Sequence, residues 1–215
     1  FFGIGRMEQD VLDYGLSLLN APSGATGAFT TGGSESIVLA VKAARDAHRA
    51  RRGTKGGRLN VVMPVTAHAA FDKAANLMDI ELRRGALGDN RRGDVATLEP
   101  LIDDDTIMLV GSAPCYPHGV IDPIGEIGKL AERHDLWLHV DACVGGWLAP
   151  FFRRIGRPVP DFDFAVPAVR SISADPHKFG FCPKPASTVL FRDRDDMERA
   201  KFIADAWPAG VYQTA

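Results

Sequence analysis

Four short stretches of this chain carry residue types that do chemistry, and the one around Lys178 organises the rest. It reads Ser171-Ile172-Ser173-Ala174-Asp175-Pro176-His177-Lys178-Phe179-Gly180, a lysine directly after a histidine, with two serines upstream. Residues 169–173 alternate like the end of a strand, which puts Lys178 in the loop beyond it. Open α/β sheets place their chemistry in such strand-exit loops. A lysine there can serve as an amine nucleophile that forms a Schiff base with a carbonyl. The ordinary alternative is a solvated surface lysine, because lysine is mostly exposed in folded proteins.

The other three stretches have the same character. Asp141 stands at the mouth of an apolar strand over 136–140, where a carboxylate is partly desolvated and needs a partner. The protonated ring nitrogen of pyridoxal phosphate would supply one through a charge-assisted hydrogen bond that keeps the ring an electron sink. A helix cap or a structural ion pair is the alternative. Cys143, two residues on, would face the same side and pack on such a ring. A metal site of Asp141 with His139 and Cys143 is less attractive, on the expectation that strand alternation turns neighbours to opposite faces. Thr31-Gly32-Gly33-Ser34-Glu35-Ser36 leads into a long helix over 37–52. Glycines at a helix start leave backbone N–H groups pointing at an anion, and the hydroxyls of Thr31, Ser34 and Ser36 are further donors to a phosphate. An ordinary turn with Ser34 as its N-cap is the competing account. His68 follows a strand over 60–65 and precedes a helix over 69–78, so its flat imidazole can stack on a planar ring or serve structure alone.

The elements that must position these groups follow from periodicity. Apolar spacing predicts helices over 6–19, 37–52, 69–78, 94–101, 123–134 and 194–206. Continuous apolar runs predict strands over 60–65, 80–83, 107–111, 136–140 and 169–173, with a possibly antiparallel one over 188–192. Residues 21–29, 49–58, 85–93 and 147–167 read as connections, the second basic and exposed. Strand, loop and helix in alternation imply right-handed crossovers and a mainly parallel sheet.

Composition narrows the classes. The 215 residues, 46% hydrophobic and 24% charged, suit one globular domain with a sizeable core. A net charge of −2 leaves no nucleic-acid footprint, and no apolar run reaches the length that spans a bilayer. Cys115, Cys143 and Cys182 are odd in number and far apart, which fits a reducing compartment, and a cytoplasmic location is expected. The start on Phe1-Phe2, without a methionine, is that of a fragment or a processed product.

Taken in order, a glycine loop, a histidine, an aspartate and a lysine make the chain resemble the fold-type I pyridoxal-phosphate enzymes. Within them it resembles the group II decarboxylase superfamily, and most closely its sphingosine-1-phosphate lyases. The matching segments are residues 31–46, 67–75, 111–124, 139–146 and 171–184, which span nearly the whole chain. The Pro117-His118-Gly119-Val120-Ile121-Asp122-Pro123-Ile124 loop and the Phe71-Asp72-Lys73 run favour the lyases over amino-acid decarboxylases. Ser34 replaces a threonine frequent in lyases, and Pro176 and Phe179 are mild departures in the lysine loop.

The resemblance implies an aminotransferase-like large domain, α/β with a mainly parallel sheet flanked by helices, over residues 1–215. It implies that Lys178 forms the Schiff base with pyridoxal phosphate, Asp141 pairs with the pyridine nitrogen and His68 stacks on the ring. Gly33, Ser34, Ser173 and His177 then hold the cofactor phosphate, with Cys143 against the ring. The implied reaction is retro-aldol cleavage of a phosphorylated sphingoid base, or a similar amino alcohol phosphate, to a fatty aldehyde and phosphoethanolamine. His68, Lys178 or a group outside the chain would be the base. Relatives are longer, so a further N-terminal segment and a C-terminal small domain are expected, with the site at a homodimer interface. An amino-acid decarboxylase and a non-catalytic fragment are the alternatives.

Overall fold

The computed structural model describes residues 2–53 and 57–215. Its sheet has seven strands: β1 (Thr26–Thr30), β2 (Asn60–Pro64), β3 (Glu81–Gly85), β4 (Thr106–Ser112), β5 (Trp137–Asp141), β6 (Val169–Ala174) and β7 (Ser187–Phe191). They lie in the order β1-β7-β6-β5-β4-β2-β3. Only β7 runs against its neighbours, pairing antiparallel with β1 and β6, as the sequence suggested. β2, β4, β5 and β7 are buried along their whole length. That is why they read as unbroken apolar runs: a sheet covered on both faces has no polar side.

Helices cover the two faces. α2 (Gly33–Arg52) and α3 (Ala70–Met78) enclose one core with Val61, Met63, Val110, Trp137 and Phe191. On the other face α1 (Phe2–Leu18), α5 (Ile124–His134) and α6 (Ala149–Arg154) close over Val62, Leu109, Leu138, Val140 and Ile172. α4 (Val95–Leu98) and α7 (Arg194–Ala200) are the remaining α-helices among the described residues, a 3-10 turn (Glu99–Leu101) extends α4, and β8 (Phe202–Ala204) pairs antiparallel with β9 (Tyr212–Thr214) beyond them.

Three readings of the connections change. Residues 21–29 were expected to be a loop, yet β1 begins at Thr26. A Cβ on Gly27 would lie 2.6 Å from the Val189 carbonyl, so the glycine that masks the strand pattern is what lets β1 approach β7. The 147–167 connection contains α6, and the last helix ends at Ala200, six residues short of the expected end. Of the basic stretch 49–58, residues 49–52 continue α2, and residues 54–56 lie outside the described residues.

Register aligns the strand exits. Ser112 pairs with Asp141, Asp141 with Ser173, and Thr30 with Ser187, so the loops after β1, β4, β5 and β6 leave one edge of the sheet. Asp122 pins that edge: fully buried, its two oxygens accept the backbone N–H groups of Gly93 and Ser112, each at 2.8 Å. We expect Asp122→Ala to leave two buried donors unpaired and to lower stability by about 2–5 kcal/mol in urea unfolding. Asp122→Asn retains one acceptor oxygen and recovers part of the loss.

Candidate active site

The four chemical stretches meet in one cavity of about 700 Å³ at this edge of the sheet. Gly33 and Ser34, His68, Asp141 with Cys143, and His177 with Lys178 all line it. Ser173 does not. It is fully buried beneath the floor and bonded to Asp141 and His139, so the expected phosphate contact gives way to a supporting role. Ser36 is likewise fully buried, bonded to Thr30 and Ser187, and the Thr31 hydroxyl is taken by Glu35. Of the three hydroxyls expected to face an anion, Ser34 alone lines the cavity without a hydrogen bond to another described residue.

Asp141 ends a directional chain of hydrogen bonds. The Trp137 indole can only donate, and it donates to Ser171 Oγ at 2.8 Å. Ser171 Oγ is 2.8 Å from His139 Nδ1, His139 Nε2 is 3.3 Å from Ser173 Oγ, and Ser173 donates weakly to Asp141 Oδ1 at 3.4 Å. With the Asp141 carboxylate fixed as acceptor, Ser173 spends its proton there and accepts from His139, so the neutral imidazole carries its proton on Nε2 and Ser171 donates to Nδ1. The Cys143 N–H also donates to Oδ1, at 3.1 Å, and Asp141 Oδ2 takes no hydrogen bond from the described residues. One oxygen is thus anchored and the other left for a ligand.

The same chain corrects one expectation about the faces of this strand. His139 and Asp141, two apart, do share a face of β5. Both imidazole nitrogens are engaged by serines, and no cluster able to hold a metal is present among the described residues.

His68 is exposed on the cavity wall, and its Nδ1 accepts the Ala70 N–H at 3.1 Å, which leaves the proton of the neutral ring on Nε2. His177 Nδ1 accepts the Ala186 N–H at 3.2 Å. Lys178 Nζ is 3.0 Å from Asp175 Oδ2. Burial works against the charge on Lys178, but Cys143, Asp175 and Asp141 outweigh it and raise its proton affinity above the usual lysine range. Burial holds Cys143 itself as a thiol, well above its ordinary value, so at neutral pH the attraction comes from the carboxylates.

The start of α2 forms the opposite wall. Gly32 precedes it with no side-chain cap, so the first N–H groups of the helix remain available at the cavity. A Cβ on Gly33 would lie 2.6 Å from Cys143 Sγ and 2.9 Å from Asp175 Oδ2, so only glycine lets the helix start come this close to the lysine loop.

Comparison with known proteins supplies the family. The model for the pyridoxal-dependent decarboxylase conserved domain matches residues 4–206. The chain belongs to this family. It is 42% identical over 213 residues to a sphingosine-1-phosphate lyase of Dictyostelium discoideum, covering 99% of this chain and 40% of that protein. A probable L-tyrosine/L-aspartate decarboxylase of Methanosarcina acetivorans is 39% identical over 94% of the chain and 53% of its own length. The structure of a Burkholderia pseudomallei sphingosine-1-phosphate lyase superposes with a TM-score of 0.94 at 39% identity, over 99% of this chain and 50% of that one. A Lactobacillus brevis glutamate decarboxylase follows at 0.85 and 25%, over 98% and 50%. The chain thus spans about 40–50% of the length of these relatives.

Pyridoxal phosphate is the cofactor of this family, and the cavity fits it. A free carboxylate oxygen, an amine, an accessible imidazole and an uncapped helix start match its ring nitrogen, aldehyde, ring face and phosphate. Gly33 leaves open the space at the anion-binding end. Several lining residues had no role from sequence: Asp175, Thr66, Lys73, Tyr116 and Lys184. The signal for Lys184 was its place six residues after Lys178 in one loop; Lys73 was visible only as part of a motif.

Two outcomes follow. Gly33→Ala should weaken pyridoxal phosphate binding at least tenfold in a spectral titration while the far-ultraviolet circular dichroism is retained. His139 is fully buried, and burial lowers its pKa to about 4 from 6.5. Its folded-state value lies below its unfolded one, so its contribution is complete above pH 6.5 and is lost as pH falls toward 4. Urea unfolding across that window should lose about 3 kcal/mol from this group. His139→Asn should flatten the dependence.

Proposed function

We propose that this chain is the cofactor-binding large domain of a pyridoxal-phosphate carbon–carbon lyase that cleaves a phosphorylated sphingoid base or a similar amino alcohol phosphate. The observation that carries the reading is the identity to sphingosine-1-phosphate lyases over 99% of the chain, which includes every wall of the cavity. Lys73 and Lys184 line the same cavity and suit a substrate that brings its own phosphate. The products would be a fatty aldehyde and phosphoethanolamine.

Bound pyridoxal phosphate supplies an electron sink next to the substrate's amine-bearing carbon. Lys178 would hold the cofactor aldehyde carbon through its amine. Asp141, held by Ser173 and the Cys143 N–H, would keep a proton on the pyridine nitrogen through Oδ2. The α2 N–H groups and Ser34 hold the cofactor phosphate, with His177 beside them, and His68 and Cys143 pack against the ring. His68 Nδ1 is occupied by the Ala70 N–H, and the Lys178 amine would take the substrate hydroxyl proton.

A specific observation favours a second reading. The Methanosarcina decarboxylase matches nearly as well as the lyases, so an amino-acid decarboxylase on the same scaffold stays in competition. A non-catalytic fragment is the outcome if no cofactor attaches. We further propose that the site is completed at a homodimer interface by a second copy, that the full protein adds an N-terminal segment and a small C-terminal domain, and that it acts in the cytoplasm. Among the described residues no helix is long and apolar enough to cross a membrane.

Borohydride reduction of the protein with pyridoxal phosphate, followed by peptide mapping, should place the adduct on Lys178 and lose it in Lys178→Ala. Aldehyde release from a sphingoid base phosphate supports the lyase; carbon dioxide release from an amino acid without aldehyde overturns it. Asp141→Asn should lower kcat at least 100-fold, about 3 kcal/mol in barrier, with a far smaller loss in unfolding free energy. Equal losses would make Asp141 a structural residue.

A further inference from the structure

Of the buried carboxylates that line the cavity, the mechanism above leaves one without a role. Asp175 is 1% exposed, three residues before Lys178, and its Oδ2 lies 3.0 Å from Lys178 Nζ. Its Oδ1 accepts the Ser187 hydroxyl at 2.5 Å. Ser187 Oγ is 2.8 Å from Ser36 Oγ, and Ser36 Oγ is 2.6 Å from Thr30 Oγ1. Because the Ser187 proton is committed to the carboxylate, Ser36 must donate to Ser187 and Thr30 to Ser36. Three almost fully buried hydroxyls from β1, α2 and β7 are thus aligned on one oxygen of Asp175. Such a chain brings hydrogen-bond donors in series to a carboxylate that water does not reach.

We propose that Asp175 is the positioning residue of the lysine: its hydroxyl-supported carboxylate fixes the Lys178 amine at the cavity wall and sets the proton affinity with which that amine acts. The inference rests on Lys178 being the cofactor-bearing and proton-accepting amine. When the substrate amine has displaced Lys178, the freed neutral amine takes the proton from the substrate hydroxyl and becomes an ammonium. Asp175 is placed to pair with that ammonium, so the proton moves toward the lysine. Before its lone pair can attack a carbonyl again, the ammonium would have to give up that proton, which the amine-bearing carbon needs once the aldehyde has left.

Other groups that face Lys178 do not replace this one. His177 Nε2 is 3.6 Å from Asp175 Oδ2, on the same loop. From the end of β5, Cys143 is held as a thiol, and Asp141 has Oδ1 anchored and Oδ2 directed to the ring nitrogen in the proposed complex. Glu35, from α2, is turned back onto the Thr31 N–H and hydroxyl, both at 2.6 Å. His68, Lys73, Tyr116 and Lys184 complete the titratable groups on the cavity wall, and none of them is a carboxylate.

The test reads the amine itself, without cofactor or turnover. The cofactor-free protein is labelled with trace acetic anhydride across pH, and the acetylation of Lys178 is quantified by peptide mapping to give the midpoint of its deprotonation. Asp175→Asn should move that midpoint down by about one pH unit or more, as expected for loss of an opposite charge at this distance. Ser187→Ala leaves the carboxylate charged but strips its hydroxyl donor, so its midpoint should move up. A midpoint unchanged in Asp175→Asn, or lowered in Ser187→Ala, overturns the proposal. If Asp175→Asn does not fold, the direction in Ser187→Ala decides alone. Because labelling reports Lys178 whether or not pyridoxal phosphate attaches there, failure of the cofactor assignment appears separately, in the borohydride map.

Discussion

Two carboxylates buried at one edge of a parallel sheet set the terms for the rest of this structure. A carboxylate removed from water stays charged only if hydrogen-bond donors replace the lost solvation. Asp141 receives the Cys143 N–H and the end of a chain from Trp137 through Ser171, His139 and Ser173; Asp175 receives the hydroxyls of Thr30, Ser36 and Ser187 in series. Each chain consumes one oxygen and leaves the other free of it: Asp175 Oδ2 meets the lysine, and Asp141 Oδ2 is the oxygen assigned to the ring nitrogen in the proposed complex. The serines and threonine that look like loose polar substitutions inside apolar strands are the solvent these anions have in place of water.

This division of labour explains where the sequence spoke clearly and where it misled. The buried strands announced themselves as apolar runs, and the strand-exit groups Lys178, Asp141 and His68 were visible because each stands at a sharp change from apolar to polar. Ser173 and Ser36 were misread for one reason. A hydroxyl beside a glycine loop or before a lysine looks the same in sequence whether it faces a ligand or belongs to a chain that ends on a buried carboxylate. Asp175 was hidden by proximity, since a charged residue three positions before a lysine reads as a local ion pair until its burial is known. β1 was hidden by Gly27, whose missing side chain is the condition for its pairing with β7 and also breaks the pattern that marks a strand.

Family membership and cavity chemistry carry different parts of the functional account. Membership fixes the cofactor and the scaffold, and it is shared by lyases and decarboxylases alike. The choice of reaction lies with the groups around the cofactor, notably the two further lysines of the cavity and the proton state of Lys178. A lyase must accept a proton from a hydroxyl, and the pairing of Lys178 with Asp175 suits an amine asked to do that.

The pairing of Thr30 with Ser187 bears on how the protein is made. These residues are far apart in the chain, yet their contact joins β1 to β7 and brings the start of α2 against the lysine loop. Ribosomal synthesis delivers the glycine loop and His68 long before the lysine strand, and the earlier segments cannot close the cavity alone. Contacts of such high sequence separation form late and slow the search for the native state. Cofactor capture is therefore reserved for a polypeptide whose sheet is already complete, and pyridoxal phosphate, by binding only that state, draws the folding equilibrium toward it.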